Sequence, residues 1–172
     1  MSSIVMIGGH GKVALLAAPL LVDAGHEVVS LIRNPDHSAD VAATGATPLV
    51  LSVEEADVAE LTRVFAGADA IVWSAGAGGK GGPERTDAVD RAAAIRSMEA
   101  AAAAGVKRYI MVSFITAYGE VPDDHPLRAY AIAKIAADRY LQTTDLDWTI
   151  LGPGLLTLDE PTGAITVARV PK

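Results

Sequence analysis

Tyr130 and Lys134, four residues apart, form the pair of side chains with the clearest chemical potential in this 172-residue sequence. Residues four apart on a helix share one face, so the two groups would lie side by side if this segment is helical. A free phenol has a pKa of about 10, too high for a base at neutral pH. A neighbouring ammonium stabilises the phenolate and is expected to lower that pKa, giving a group that exchanges a proton with a carbonyl oxygen.

The segment GGHGKVA at residues 8–14 has the composition of a turn that holds a pyrophosphate. It directly follows a short apolar run and opens a stretch of helical period, which is the context such a turn requires. Gly8 allows a tight turn, Gly11 lets the backbone approach the phosphates, and Ala14 lets the helix pack near the strand. An ordinary glycine-rich turn is the alternative. The residues assigned here to dinucleotide binding are Gly8, Gly9, His10, Gly11, Lys12 and Ala14.

Arg33 follows the second apolar run, in the segment SLIRNP. A site for NAD usually carries Asp or Glu at this place, where the carboxylate accepts hydrogen bonds from the adenosine ribose. A guanidinium suits a 2′-phosphate instead, so we expect NADP rather than NAD. A solvated arginine on a loop is the alternative.

Short apolar runs alternate with segments of helical period, and these elements must position the residues above. The runs are Ile4–Ile7, Val28–Ile32, Pro48–Leu51, Ala70–Trp73, Tyr109–Val112 and Trp148–Leu151. Because they are apolar almost throughout, they are typical of parallel strands covered on both faces. Helices are predicted over Lys12–Ala24, Val58–Ala66, Glu84–Ala104 and Ala129–Gln142, and Ile165–Val170 is a candidate further strand. The alternation predicts an α/β fold with a doubly wound parallel sheet, a Rossmann fold, in one domain over residues 1–172.

Composition excludes several classes of function. With 14 Lys and Arg against 21 Asp and Glu, the net charge is −7, so a nucleic-acid partner is not expected. There is no cysteine, and the four histidines lack metal-ligand spacing, so we expect no metal site. Without a long apolar run or a cationic leader, we expect a cytoplasmic protein that does not bind membranes. A monomer or homodimer acting on a small molecule fits these limits.

Taken together, the glycine turn, Tyr130-x-x-x-Lys134 and Ser113 at a strand end resemble the short-chain dehydrogenase/reductase superfamily. More narrowly, the chain resembles its atypical members with one NAD(P)-binding domain, the NAD-dependent epimerase/dehydratase-like and NmrA-like proteins. The segment WTILGPGL at residues 148–155 is similar to the sixth strand of that family and the turn after it. The resemblance covers nearly the whole chain.

The resemblance implies a role for each matching residue. Tyr130 would be the general acid/base, and Lys134 would lower its pKa and anchor the nicotinamide ribose. Ser113 would hydrogen-bond the substrate carbonyl. Asp90, which stands where other members have a catalytic asparagine, would position Lys134 or a water relay. The residues that would border the cofactor are Ser52, Ser74, Ala75, Gly76 and Pro153.

Some positions depart from the family pattern. Gly152 replaces an arginine common before the Pro-Gly pair, and Ser52 stands where an aspartate usually holds the adenine. Phe114 follows Ser113 directly, so a register one residue later would make Thr116 the nearest hydroxyl. Relatives commonly continue further, which implies that this chain lacks a short C-terminal segment on the substrate side.

The implied function is an NADP-dependent oxidoreductase or epimerase/dehydratase-like enzyme acting on a small carbonyl or hydroxyl substrate. Two alternatives stay open: an NmrA-like regulator that senses the cofactor without catalysis, and a flavin or biliverdin-type reductase. The Tyr130 and Lys134 pair favours the enzyme, because a sensor has no need of a proton-transfer group.

Overall fold

The fold is a six-stranded parallel sheet with helices on both faces. The computed structural model describes residues 1–78, 81–114, 121–154, 156–157, 159–160 and 162–167. The strands are β1 (Ser3–Ile7), β2 (Glu27–Ile32), β3 (Thr47–Val50), β4 (Ala70–Trp73), β5 (Arg108–Val112) and β6 (Asp147–Leu151). Their spatial order is β3-β2-β1-β4-β5-β6, and every neighbouring pair is parallel. The predicted doubly wound Rossmann sheet is confirmed, with each strand within a residue of its expected bounds.

The helices are α1 (Lys12–Asp23), α2 (Ser38–Ala43), α3 (Val58–Phe65), α4 (Gly82–Thr86), α5 (Ala94–Ala103) and α6 (Arg128–Gln142). Two details differ from the sequence-based expectation. The predicted helix over Glu84–Ala104 consists of α4, a π-helical segment at Asp87–Ala93, and α5. The short helix α2 was not predicted, because six residues with a single buried apolar side chain, Val41, display no helical period.

The predicted strand at Ile165–Val170 is not found where it can be checked. Residues 165–167 form no strand, and residues 168–170 lie outside the described part of the chain. Among the described residues, no helix is both long and apolar enough to cross a membrane.

Side chains of β1 show why these strands are apolar throughout. Val5 and Ile7 pack on one face of the sheet in a cluster with α3, α5 and α6. Met6 packs on the other face with side chains of α1 and α2. A strand covered on both faces has no solvent side, so most of its side chains are apolar.

The strand order reverses between β1 and β4. The chain runs outward from β1 to β2 and β3, and then returns to place β4, β5 and β6 on the other side of β1. At such a reversal the loops that follow the two central strands diverge, which leaves a crevice at the carboxyl ends of the strands. The fold therefore places any ligand site above residues 8–11 and 74–78.

Gly9 is the closest contact between the first turn and the neighbouring strand. A Cβ added to Gly9 would lie 2.4 Å from the Cβ of Ser30 and 2.9 Å from its Oγ. The Gly9 N–H donates to the carbonyl of Leu31 at 2.9 Å, which fixes the turn against the end of β2. The absence of a side chain at residue 9 is thus a packing requirement.

We expect Gly9→Ala to reduce the free energy of unfolding by about 1–3 kcal/mol, because the added methyl group overpacks the contact with Ser30. Chemical denaturation measures this loss. The Gly9→Ala/Ser30→Gly double variant should lose less than the sum of the single variants. Gly154→Ala is the control, since a Cβ there meets no heavy atom within 4 Å among the described residues. Additive single losses would contradict the proposed contact.

Candidate functional site

An open cleft of about 1060 Å³ lies at the carboxyl ends of the strands. Most residues assigned to a site from the sequence line it. They are Gly8, His10, Gly11, Lys12, Arg33, Ser52, Ser74, Ala75, Gly76, Asp90, Ser113, Tyr130, Lys134 and Pro153. Thr116, the alternative hydroxyl, lies outside the described residues.

The glycine turn forms one wall of the cleft and has the geometry of a phosphate cradle. Gly8 has φ of +82°, and a Cβ on it would lie 2.6 Å from the Cα of Ala75. A Cβ on Gly11 would lie 3.2 Å from the carbonyl oxygen of Gly8. Gly11 is also the N-cap of α1, whose first turn carries no acidic side chain. The amides at this helix start therefore suit an anion, and the turn fits the pyrophosphate of a dinucleotide.

Two residues assigned to cofactor contact do not line the cleft. Gly9 packs beneath the turn on Ser30, and Ala14 is completely buried against the sheet. They shape the site through the packing of α1 and the turn. The assignment of Gly9 to direct binding is therefore corrected, because it faces the neighbouring strand.

His10 is held by the unpredicted helix α2 and the turn before it. Its Nε2 lies 2.9 Å from an Oδ of Asp40, and its ring stacks on His37 with centroids 3.6 Å apart. His10 therefore stands at the rim of the phosphate turn and joins it to the segment after β2.

Arg33 shares a carboxylate with a second arginine at the opposite side of the cleft from β6. Its Nη1 lies 3.5 Å from Glu54, which follows β3, and Arg85 on α4 lies 3.2 Å from the same carboxylate. Glu54 was not assigned to the site from the sequence, where it is one of several acids ahead of a helix. Local sequence carries no signal for it, because its partners are distant along the chain.

Lys134 is buried at the other end of the cleft, where β5 ends. Its side chain is fully covered, and its Nζ donates to the carbonyl of Val112 at 2.9 Å. Burial lowers the pKa of Lys134, while Asp90 and Asp138 oppose that shift. A buried ammonium needs such partners, since an isolated charge in the interior is very costly.

Asp138 also lies at the Lys134 end of the cleft, and it was not assigned to the site from the sequence. It lies four residues after Lys134, so Tyr130, Lys134 and Asp138 follow one another on the same face of α6. The Ser113 hydroxyl donates to an Oδ of Asp138 at 2.5 Å. Burial raises the pKa of Asp138, and the hydrogen bond from Ser113 opposes the rise. The i+8 spacing from Tyr130 was a signal that could have identified it.

Asp90 lies in the π-helical segment and is completely buried. One of its oxygens accepts a hydrogen bond from the N–H of Ala77 at 3.1 Å, in the loop after β4. Among the described residues, its Oδ1 has no hydrogen-bond partner, which leaves a lone pair for a water. Burial raises the pKa of Asp90, and the charges of Lys134 and Arg85 oppose the shift.

The expected lowering of the Tyr130 pKa is not found. Burial raises it to about 12, and the carboxylates of Asp90 and Asp138 add to the rise because they disfavour a phenolate nearby. The Phe114 ring also packs edge-on against Tyr130, with centroids 5.3 Å apart. In the protein without a cofactor, Tyr130 is thus a protonated donor at neutral pH.

We expect Lys134→Met to reduce the free energy of unfolding by about 3–5 kcal/mol at neutral pH, because two buried carboxylates lose their cation. The carboxyl pKa values would rise further. Since a raised folded-state pKa makes stability fall as pH increases above the ordinary value of 3.8, the loss should be smaller near about pH 5.

Urea denaturation at the two pH values measures the effect in the absence of any ligand. Lys107→Met, the same change at an exposed lysine, is the matched control. A loss that does not depend on pH would contradict the coupling of Lys134 to the two carboxylates.

Comparison with known proteins identifies the family to which the chain is similar. Residues 8–171 match a family profile described as NAD(P)H-binding. UPF0659 protein C216.03 of Schizosaccharomyces pombe is 34% identical, over 99% of this chain and 77% of its own length. The uncharacterized sugar epimerase YhfK of Bacillus subtilis is 33% identical, over 95% of this chain and 77% of its own length.

A solved structure extends the agreement to the fold. A Bacillus halodurans protein described as an NAD-dependent epimerase/dehydratase superposes with a TM-score of 0.88 and is 34% identical. The match covers 96% of this chain and 76% of the other. The predicted resemblance to NAD(P)-binding, epimerase/dehydratase-like proteins is confirmed: the chain belongs to the NAD(P)H-binding family whose profile it matches.

Proposed function

We propose that this protein is an NADP(H)-dependent oxidoreductase or epimerase/dehydratase-like enzyme that acts on a small carbonyl or hydroxyl substrate. One observation carries the proposal. Tyr130 and the buried Lys134 line the same cleft as the phosphate turn, at the end of β5. A proton-transfer group and a dinucleotide cradle in one cleft support redox chemistry at carbon.

The two ends of the cleft would contact different parts of the cofactor. A bound nicotinamide supplies the hydride, which no side chain can provide. The glycine turn would hold the pyrophosphate, and Arg33, which is 61% exposed at its side chain, would meet the 2′-phosphate. Lys134, held by Val112, would hydrogen-bond the nicotinamide ribose.

Tyr130 would donate its phenolic proton to the substrate oxygen. With a pKa of about 12 the phenol carries its proton at neutral pH, and reduction of a carbonyl requires that proton. The positive charge of Lys134 would stabilise the phenolate formed as the proton leaves. Tyr130 would be the general acid in one direction and the base in the other.

Ser113 would hold a second substrate oxygen. The Ser113 hydroxyl donates its hydrogen bond to Asp138, so the Ser113 Oγ can only accept a hydrogen bond from a substrate. That arrangement suits a substrate hydroxyl rather than the carbonyl first assigned to it. The name of the Bacillus subtilis relative, a sugar epimerase, makes polyhydroxyl compounds suitable candidates for a screen.

A cofactor-binding regulator is the second candidate, and the surroundings of Tyr130 favour it. The Phe114 ring covers part of the phenol, and the high pKa makes the phenolate difficult to form. A sensor needs only the cradle, so it would bind the cofactor tightly without turnover. A flavin or biliverdin-type reductase is a third possibility, since such activity does not require Tyr130.

We expect Arg33→Ala to weaken NADPH binding by about 10- to 100-fold and to leave NADH binding nearly unchanged, because a charge-assisted hydrogen bond contributes roughly 1.5–3 kcal/mol. Calorimetric titration of both cofactors measures this. Arg63→Ala, at an exposed arginine of α3, is the control. Equal affinities of the wild-type protein for the two cofactors would end the proposal of NADP preference.

We expect Tyr130→Phe to bind NADPH normally and to lose on the order of 10²-fold or more in carbonyl reduction, because the ring stays while its proton is removed. A panel of quinones, aldehydes, ketones, sugars and flavins would first be screened for NADPH oxidation. Between about pH 6 and 9 the wild-type rate should not vary through ionisation of Tyr130, whose pKa is higher.

Undiminished activity in Tyr130→Phe would favour the flavin-type reductase. Tight NADPH binding without turnover on any compound of the panel would favour the regulator.

A further inference from the structure

Three charged side chains from three different segments of the chain meet at the proposed adenosine end of the cleft. Arg33 follows β2, Glu54 follows β3, and Arg85 belongs to α4. Glu54 accepts hydrogen bonds from Nε and Nη2 of Arg85, each at 3.2 Å, and lies 3.5 Å from Nη1 of Arg33. We propose that Glu54 sets the preference between NADP(H) and NAD(H) by competing with the 2′-phosphate for these two guanidinium groups.

The contact with Arg85 is the stronger of the two. The side chains of Arg85 and Glu54 are 23% and 29% exposed, whereas that of Arg33 is 61% exposed. Solvent screens the electrostatic attraction of a partly covered, bidentate ion pair less than that of a pair on the surface. Glu54 is therefore firmly held by Arg85, and Arg33 contacts it more loosely from the solvent side.

The two arginines and Glu54 would have opposite effects on the binding of a phosphate. Arg33, Arg85 and Glu54 together carry a net charge of about +1 when all are ionised. A phosphate monoester brings nearly two negative charges and three acceptor oxygens, so it would be attracted by the arginines and repelled by Glu54. The unphosphorylated ribose has two hydroxyl groups, and a carboxylate can accept a hydrogen bond from each of them. Glu54 thus disfavours binding of NADP(H) and favours binding of NAD(H).

The loop that carries Glu54 does not depend on its side chain. Arg96 donates through Nη2 to the carbonyls of Val53 and Glu54, both at 3.0 Å, and through Nε to Ala56 at 3.2 Å. Arg85 also donates to the carbonyl of Ala77. These bonds remain when the carboxylate becomes an amide, so Glu54→Gln should fold and keep the shape of the cleft.

The experiment is a calorimetric measurement of the Kd for NADPH and for NADH with the wild-type protein, Glu54→Gln and Glu55→Gln. Glu55 is the matched control, because it is the next residue and its side chain is exposed. We expect the ratio of Kd(NADH) to Kd(NADPH) to rise by about tenfold or more in Glu54→Gln, through tighter NADPH binding and weaker NADH binding. In Glu55→Gln the ratio should stay within about twofold of the wild type. Thermal unfolding of each variant verifies the fold.

The inference rests on the proposed function, because it takes an adenosine 2′-phosphate to lie beside Arg33. A wild-type protein that binds neither dinucleotide overturns both. Binding of NADPH with an unchanged ratio in Glu54→Gln overturns the role of Glu54 alone. Equal weakening of both cofactors also overturns it, since that result shows Glu54 only to support the loop.

Discussion

Burial of the Lys134 ammonium is the constraint on which the end of the cleft that contains Tyr130 depends. The charge lies beneath the end of β5, where the Val112 carbonyl and the carboxylates of Asp90 and Asp138 offset its desolvation. Those partners come from β5, from the π-helical segment and from α6 itself. The three elements must therefore keep their mutual positions for the lysine to stay charged, and the packing of the fold is tied to the electrostatics of the site.

The loop after β4 connects this end of the cleft to the end where Arg33, Glu54 and Arg85 meet. The Ala77 N–H donates to Asp90, and the Ala77 carbonyl accepts from Arg85. Asp90 is part of the carboxylate environment of Lys134, while Arg85 is paired with Glu54. Ala77 thus joins two charged clusters through its N–H and its carbonyl, and neither cluster is independent of the conformation of that loop.

The sheet could be predicted from the sequence because its strands form short, largely apolar runs, and the central strand β1 is buried on both faces. Residues such as Gly8, Lys134 and Tyr130 could be assigned because short spacings define them. Glu54 could not be assigned from the sequence, because its partners are distant along the chain. The helix α2 could not be predicted, because it is too short to show a helical period. The predicted direction of the Tyr130 pKa shift was wrong because the spacing of Tyr130 and Lys134 does not show that the phenol is buried. Burial raises that pKa, and the carboxylates of Asp90 and Asp138 add to the rise. Asp138 was accessible to the same reasoning that found Lys134.

The contact of Gly9 with Ser30 has a consequence for attempts to exchange the cofactor specificity of this protein. Arg33, which we propose to meet the adenosine 2′-phosphate, follows β2, and transplanting that strand end from a relative is an obvious route to a new specificity. Ser30, however, is completely buried and packs directly against the backbone of Gly9. A graft that begins after Leu31 leaves the phosphate turn undisturbed. A graft that replaces Ser30 with a bulkier residue would displace the turn and impair binding of either dinucleotide, whatever charges it introduced.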